Sequence, residues 1–454
     1  MKNLCVTDEV VKYIIIFLLR DENKEFANNV IYDELPEQPI ERTLYIKPSP
    51  FFRKGVYLTD DSKPHEVLES IDDTKILFGS NKIIYGENFI LLSADLIAST
   101  FFLITRYEEC ICRTVRDEHG RFIGKKSIPY MHGFLDTPIV EDYGRILRKL
   151  LRRLSLPVKE PSIGFKHIYM THDIDVPWSV PNSYLGYGKQ ILRDLVYIGI
   201  KSNKRWYVRD ILSTFGLIKD PVDTFDWIIK HENSLKKIYG NNFDSVYFLM
   251  TCIKGKHDNG YVINRNKLQS LLNRLKISGS KFGLHISYRG GENPRYISCE
   301  QSKYIEIMNE RACMSRNHYL MSREPEDMEF LIKAGIKEDF SMCYADGAGY
   351  RLGTCRAVQW INPVSMKVRP IVLHPLLATE GKLYPKEYMG MNDKQIIDFF
   401  SKQFRKIYSE NGEVIILFHN TSFDDYCEYP YKFIYKKILS LLKEDYGYED
   451  NRYM

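Results

Sequence analysis

The sequence predicts an α/β protein: a mostly parallel sheet, open or closed, preceded by a smaller α+β domain. Three observations carry this reading. The chain has 454 residues, more than one core of usual size holds, so two domains are expected. "SLPVKEPSIG", Ser155 to Gly164, breaks the apolar periodicity with two prolines and a glycine, which sets the boundary as 1–160 and 161–454. Beyond it, short apolar runs alternate with amphipathic helical stretches to the end of the chain, the pattern of strand–helix units.

In the first segment, Val10, Val11 and "YIIIFLL" (Tyr13 to Leu19) read as a buried helix or strand. The run is far too short to span a bilayer; a peripheral membrane contact is the alternative. "NKIIYGENFILLSADLIASTFFLITRYEE" reads as a strand followed by an apolar helix. "TPIVEDYGRILRKLLRRL" reads as a helix with a basic last turn. In the second segment the expected strands are "HIYM", "SVYFLMT", "KFGLH", "RNHYL", "DFSMCYA", "PIVLH" and "EVIILFH". Helical patterns such as "DTFDWIIKHENSLKKIY" and "RNKLQSLLNRLKIS" lie between them. The stretch from Val180 to Pro221 far exceeds the ~2–6 residues of an ordinary βα loop. It predicts a helical lid at the site mouth, with a structural insertion as the alternative.

Hydrophobic residues make up 44% and charged residues 27%, as in a soluble globular protein. A net charge of +5 is small for this length and gives no reason to expect nucleic acid. The nine cysteines lack metal-type spacing; Cys110 and Cys112 form only C-x-C. With no visible signal peptide, they predict mostly buried, reduced thiols in a cytoplasmic protein.

The chemistry concentrates at strand ends. His172, His285, His374 and His419 terminate apolar runs or adjoin their ends, and His318 lies inside another, so five of the eleven histidines fall there. In a parallel barrel the C-terminal strand ends carry the active site. In "YMTHDIDVPW", Asp173 and Asp175 are two apart and share a strand face. A polar turn or helix cap is the bland alternative. "FGLHISYRGG" adds His285, Ser287 and Arg289; "SRNHYL" adds Arg316 and His318; "EVIILFHNTSF" adds His419 and Asn420. "YADGAGYRLGTCR" holds Asp346, Arg351 and Arg356 but lacks the phosphate-loop pattern, so it is read as the wall of a polar cleft. Histidine with aspartate suits zinc or a related divalent ion, with one aspartate as ligand and the other free as a base.

Together these segments resemble the polysaccharide deacetylase superfamily, the NodB-homology carbohydrate esterases. More narrowly, they resemble bacterial deacetylase-like proteins with an extra N-terminal domain that occur with surface-polysaccharide biosynthesis. "THDID" is similar to the family's first motif, "HISYR" to its second at the first histidine only, "SRNHYL" to its arginine motif, and "LFHNTSF" to its last histidine motif. "ADLIASTFFLITRYEE" and "RDEHGRF" are similar to the narrower group. The resemblance implies a distorted (β/α) barrel of fewer than eight strands that hydrolyses N- or O-acetyl groups on a sugar or polysaccharide. It implies a divalent metal, zinc first and cobalt or nickel as alternatives, held by Asp175 and His285. Arg289 takes the place of the second-motif histidine; His318 is the candidate to replace it, with a water or Asp173 as the alternative third ligand. Asp173 would be the base, His419 the acid and Arg316 the group that orients the base. His172, Ser287, Arg289, Asp346, Arg351 and Asn420 would contact substrate. The alternatives are a carbohydrate-binding scaffold with a degenerate site, and a glycoside hydrolase using Asp173 with Asp346.

Overall fold

The computed structural model describes residues 4–179, 191–192, 196, 204–252, 255–260, 265–425 and 427–446. The N-terminal part builds a four-stranded sheet from β1 (Val30–Tyr32), β2 (Thr43–Ile46), β5 (Gly79–Tyr85) and β6 (Phe89–Ala94) in the order β1-β2-β6-β5; β3 (Glu69–Ile71) and β4 (Thr74–Ile76) form a separate hairpin. The helix Asp8–Leu19 buries Ile14, Ile15, Leu18 and Leu19, so the membrane-contact alternative for this run is corrected: its apolar face is spent on the core. Among the described residues, no helix is long and apolar enough to cross a membrane. The helix Ile139–Arg153 has Glu141 and Asp142 in its first turn and Arg152 and Arg153 in its last, matching the helix dipole at both ends.

Among the described residues, nine strands organise the second part. These are β7 (His167–Ile174), β8 (Phe243–Met250), β9 (Lys281–Ile286), β10 (Met314–Asn317), β11 (Glu338–Asp339), β12 (Val358–Asn362), β13 (Lys367–Leu373), β14 (Ala378–Thr379) and β15 (Glu413–Leu417). The order is β12-β13-β11-β10-β9-β8-β7-β15-β14. All neighbours pair parallel except β12, which is antiparallel to β13. The expected barrel of fewer than eight strands is therefore corrected upward. The sequence missed β12 and β14, and "DFSMCYA" leaves the sheet after Asp339.

Chain connectivity forces this sheet to curl. β13 and β14 stand seven places apart in the strand order. A flat sheet would separate them by about 34 Å at ~4.8 Å per strand. Only His374 to Leu377 lie between them, and five extended steps reach at most about 18 Å. The two sides of the sheet must approach, and they enclose a small inner core: Val246 and Phe248 from β8, Ile415 and Leu417 from β15, with Phe340, Cys343, Leu320 and Leu376.

A second, much larger core runs outside the sheet without interruption from Val6 to Tyr446, through both parts of the chain. Buried ion pairs tie the parts together. Glu141, 1% exposed, meets Arg20 at 3.2 Å and Arg356 at 2.8 Å, and Arg20 meets Glu410 at 2.6 Å. Arg106 pairs with Glu324, and Arg351 with Glu109 at 2.7 Å. The lid predicted between Val180 and Pro221 lies largely outside the described residues. Its described helix, Lys204–Thr214, is held through Arg209 to Asp424 at 2.5 and 2.8 Å, beside the loop that follows β15. All nine cysteines are free, but only Cys110, Cys252, Cys343 and Cys355 are buried, fewer than expected.

Glu141→Ala removes the carboxylate of Arg356 and leaves Arg20 with Glu410 alone, and should cost about 3–5 kcal/mol in urea unfolding. The wild-type chain should unfold in one transition, because both parts share a core. His374 is buried with Nδ1 2.8 Å from Glu413 and Nε2 3.2 Å from Glu338. Burial opposes its charge, but the two glutamates win and lift it from 6.5 to about 9. A raised pKa stabilises fully below 6.5 and is lost as pH rises through about 9. Melting temperature should therefore fall from pH 6.5 to 9.5, and His374→Gln should flatten that slope.

Candidate functional site

Because β7, β9, β10, β14 and β15 run parallel, their C-terminal ends open on one side, and the polar residues gather there. Strand alternation sorts β7. Thr171, Asp173 and Asp175 face inward, and Asp173 lies in register with Phe248 of the inner core. His172 faces outward. Its ring stacks on Tyr247 at 4.9 Å, its Nδ1 lies 3.0 Å from the Phe418 carbonyl, and its Nε2 lies 2.8 Å from Glu232. The substrate contact expected of His172 is thus corrected: it is a fully buried wall residue.

Asp175, His285 and His318 each offer one ligand atom, and these atoms lie within 4.8 Å of one another. Asp175 Oδ1 lies 3.0 Å from His285 Nε2, and Asp175 Oδ2 lies 3.4 Å from His318 Nε2. Despite the 3.0 Å approach, neither Asp175 Oδ1 nor His285 Nε2 has a hydrogen-bond partner among the described residues. Two buried polar atoms aimed at shared space without bonding each other are what a cation site requires. The far side of each ring is fixed. His285 Nδ1 donates to the Arg316 carbonyl at 3.0 Å, and His318 Nδ1 donates to Asp258 at 3.0 Å. Both Nε2 atoms therefore face inward, each ring oriented by a partner on its other nitrogen, as metal-binding histidines are. His318 sits one residue past β10 rather than inside a strand, where Tyr319 and Leu320 take left-handed backbone conformations (φ 60° and 56°). The residues present fit a divalent cation.

Two further pairs flank this cluster. Asp173, 3% exposed, has Oδ2 3.8 Å from His285 Nε2 and Oδ1 3.8 Å from Arg316 Nη1. Arg316 is fully buried over the Phe248 ring and donates to the Thr171 hydroxyl at 2.9 Å. Among the described residues, none donates a hydrogen bond to Asp173 Oδ1. On the other side, His419 Nδ1 lies 2.7 Å from Glu380 and its Nε2 3.5 Å from Asp175. Burial disfavours charge on both His419 and Glu380, but their pairing reverses it: His419 rises to about 10 and Glu380 falls to about 2. Asp175 is held well below the usual carboxylate range against its burial, by the adjacent imidazoles of His285 and His318. Burial also opposes charge on His318, yet Asp175 and Asp258 lift it to about 9. A cavity of about 340 Å³ opens onto Asp173, Asp175, His318 and His419.

The remaining expected contacts do not line this cavity. Ser287 caps the helix Tyr288–Glu292 and is bound to Glu300. Arg289 does not take a ligand position: its guanidinium lies 3.8 Å over Tyr296 and bonds that tyrosine's hydroxyl. Arg351 is consumed by Glu109, and the Asn420 amide clips the Val176 and Val222 carbonyls. Both Asp346 oxygens accept backbone N–H groups, from Gly124 at 2.9 Å and Lys125 at 3.1 Å, so it is not a free partner carboxylate for Asp173. His374 is held by Glu413 at the start of β15 and Glu338 at the start of β11, at the opposite end of the barrel from the cluster. Sequence reasoning missed Asp258 and Glu380. The His-Asp pair of "KGKHDNGY" was a usable signal for the first; "LLATEGK" offered none for the second.

Residues 6–156 match the model of a "Family of unknown function (DUF7033)". No curated protein matches the chain. Among solved structures, the chain is similar to a "putative polysaccharide deacetylase from Mycobacterium smegmatis", at 9% identity and a TM-score of 0.39, over 64% of this chain and 88% of that one.

The geometry makes the second motif testable by zinc titration calorimetry. Arg289→His should leave zinc affinity unchanged, because position 289 points to Tyr296. Asp258→Asn should weaken zinc binding about 10–100-fold through loss of the His318 orienter.

Proposed function

We propose that this chain is a metal-dependent carbohydrate deacetylase that hydrolyses N- or O-acetyl groups, acting in surface-polysaccharide synthesis or modification. The observation that carries the reading is the convergence of one ligand atom each from Asp175, His285 and His318 within 4.8 Å, with Asp175 Oδ1 and His285 Nε2 buried and unpartnered among the described residues. The motif resemblance of "THDID", "SRNHYL" and "LFHNTSF" points to the same chemistry. Asp175, His285 and His318 would hold the ion, and a two-histidine, one-carboxylate set suits zinc, with cobalt and nickel as substitutes.

A divalent ion bound there supplies Lewis acidity, polarising a carbonyl oxygen and making water more acidic. The protein's residues do the rest. Asp173 has an oxygen free of hydrogen bonds at the cleft floor and takes the proton of the attacking water. Arg316, pinned by Thr171 and Phe248, holds that carboxylate in place. His419 keeps its proton through Glu380 and delivers it to the leaving nitrogen or oxygen as the bond to the acetyl carbon breaks. The products are acetate and a free amine or hydroxyl.

The test uses the zinc-loaded chain and acetate release from acetylated oligosaccharides. Wild type should carry one zinc per chain. Asp175→Ala should lose the zinc. Asp173→Asn should keep it while turnover falls roughly 10²–10⁴-fold, the usual share of a general base. Wild type without zinc affinity, or an Asp173→Asn variant as active as wild type, would overturn the proposal.

A further inference from the structure

The N-terminal part is not separate from the cleft. Glu118, His119 and Arg121 line the same cavity as Asp173, Asp175 and His419. A neighbouring hollow of about 220 Å³ is lined by Gly124, Lys125, Tyr130 and Leu135 from the N-terminal part and by Tyr344 and Asp346 from the barrel. Tyr388 borders both, so the two hollows lie side by side along the seam of the two parts. The first contains the reacting groups; the second contains none of them.

The segment is fastened to the barrel rim along its length. Arg121 donates to the Tyr319 carbonyl at 3.1 Å with its guanidinium 5.7 Å from that ring's centre. His119 Nδ1 lies 3.1 Å from the Tyr288 hydroxyl, and Lys125 Nζ donates to the Glu387 carbonyl at 3.1 Å. Gly124 and Lys125 donate their backbone N–H groups to Asp346. The fit is tight: a Cβ at Gly124 would lie 2.6 Å from the Asp346 carboxylate and 2.7 Å from the Tyr344 side chain. Such a docked segment does not swing away as a loose linker would. Half-exposed Tyr130, with Tyr344 and Tyr388, gives the second hollow an aromatic lining beside polar groups. A wall of that kind suits the apolar face and hydroxyl edge of a sugar ring.

We infer that the segment Asp117–Leu135 is a specificity element of the active site. With Tyr388 it forms a second ring-binding position, so the substrate is an acetylated glycan of at least two rings. This rests on the deacetylase reading for the group that reacts, but not for the shape of the groove.

Titration calorimetry on the full chain separates the two. The probes are N-acetylglucosamine oligomers and O-acetylated xylooligosaccharides of one, two and four rings. For at least one series, affinity should rise roughly three- to tenfold from one ring to two, the order of one added aromatic contact. Tyr130→Ala should abolish that gain, and Tyr130 is 48% exposed, so its truncation leaves the core intact. Tyr388→Ala should do the same from the barrel side. A wild type that gains nothing with ring number in either series, or a Tyr130→Ala variant that keeps the full gain, overturns the inference. A Tyr130-dependent gain without acetate release from the zinc-loaded chain upholds the groove and sinks the proposed reaction instead.

Discussion

Four residues, His374 to Leu377, join strands that lie seven places apart in one sheet. That short reach is the constraint on which the rest depends. It curls the sheet around the inner core of Phe248, Phe340 and Ile415. It also brings Glu380, which directly follows β14, to the β15 end, where it takes the His419 ring. His374 itself, placed between Glu413 and Glu338, contributes an ionic clasp to the same junction.

Within the curled sheet, the period of two along β7 divides two kinds of polar chemistry. The outward His172 is satisfied by Glu232 and a backbone carbonyl, and Glu232 also binds the Tyr435 hydroxyl. This buried cluster is closed and structural. The inward Asp173 and Asp175 retain unpartnered oxygens. Leaving buried carboxylate and imidazole atoms unpaired costs about 1–3 kcal/mol each, so their retention argues for a ligand rather than for stability.

The N-terminal part contributes to both stability and shape. Its helices share the outer core, and Arg20, Arg106, Glu109 and Glu141 are paired, in burial, with residues beyond position 320. Such pairs are poor sources of net stability but are costly to break, which favours one fixed docking of the two parts. A fixed docking is what lets Glu118, His119 and Arg121 serve as a cleft wall.

The sequence by itself determined the alternation of strands and helices in the second part, the helix Ile139–Arg153, and the grouping of chemistry at strand ends, because these follow from local periodicity and residue type. It also carried the candidates Asp173, Asp175, His285, Arg316, His318 and His419, all of which the fold brings to one cleft or its wall. Only the tertiary structure decided which polar residues were free. Ser287, Arg351 and Asn420 are consumed by local caps and buried partners, and Arg289 by Tyr296, none of which has a sequence signature. His374 ends an apolar run as His285 nearly does, yet β13 pairs by its last residues with the start of the barrel strand β11, which carries His374 to the other end. Strand register, and with it the position of a side chain along a barrel, is fixed by contacts between distant segments and is invisible to local pattern.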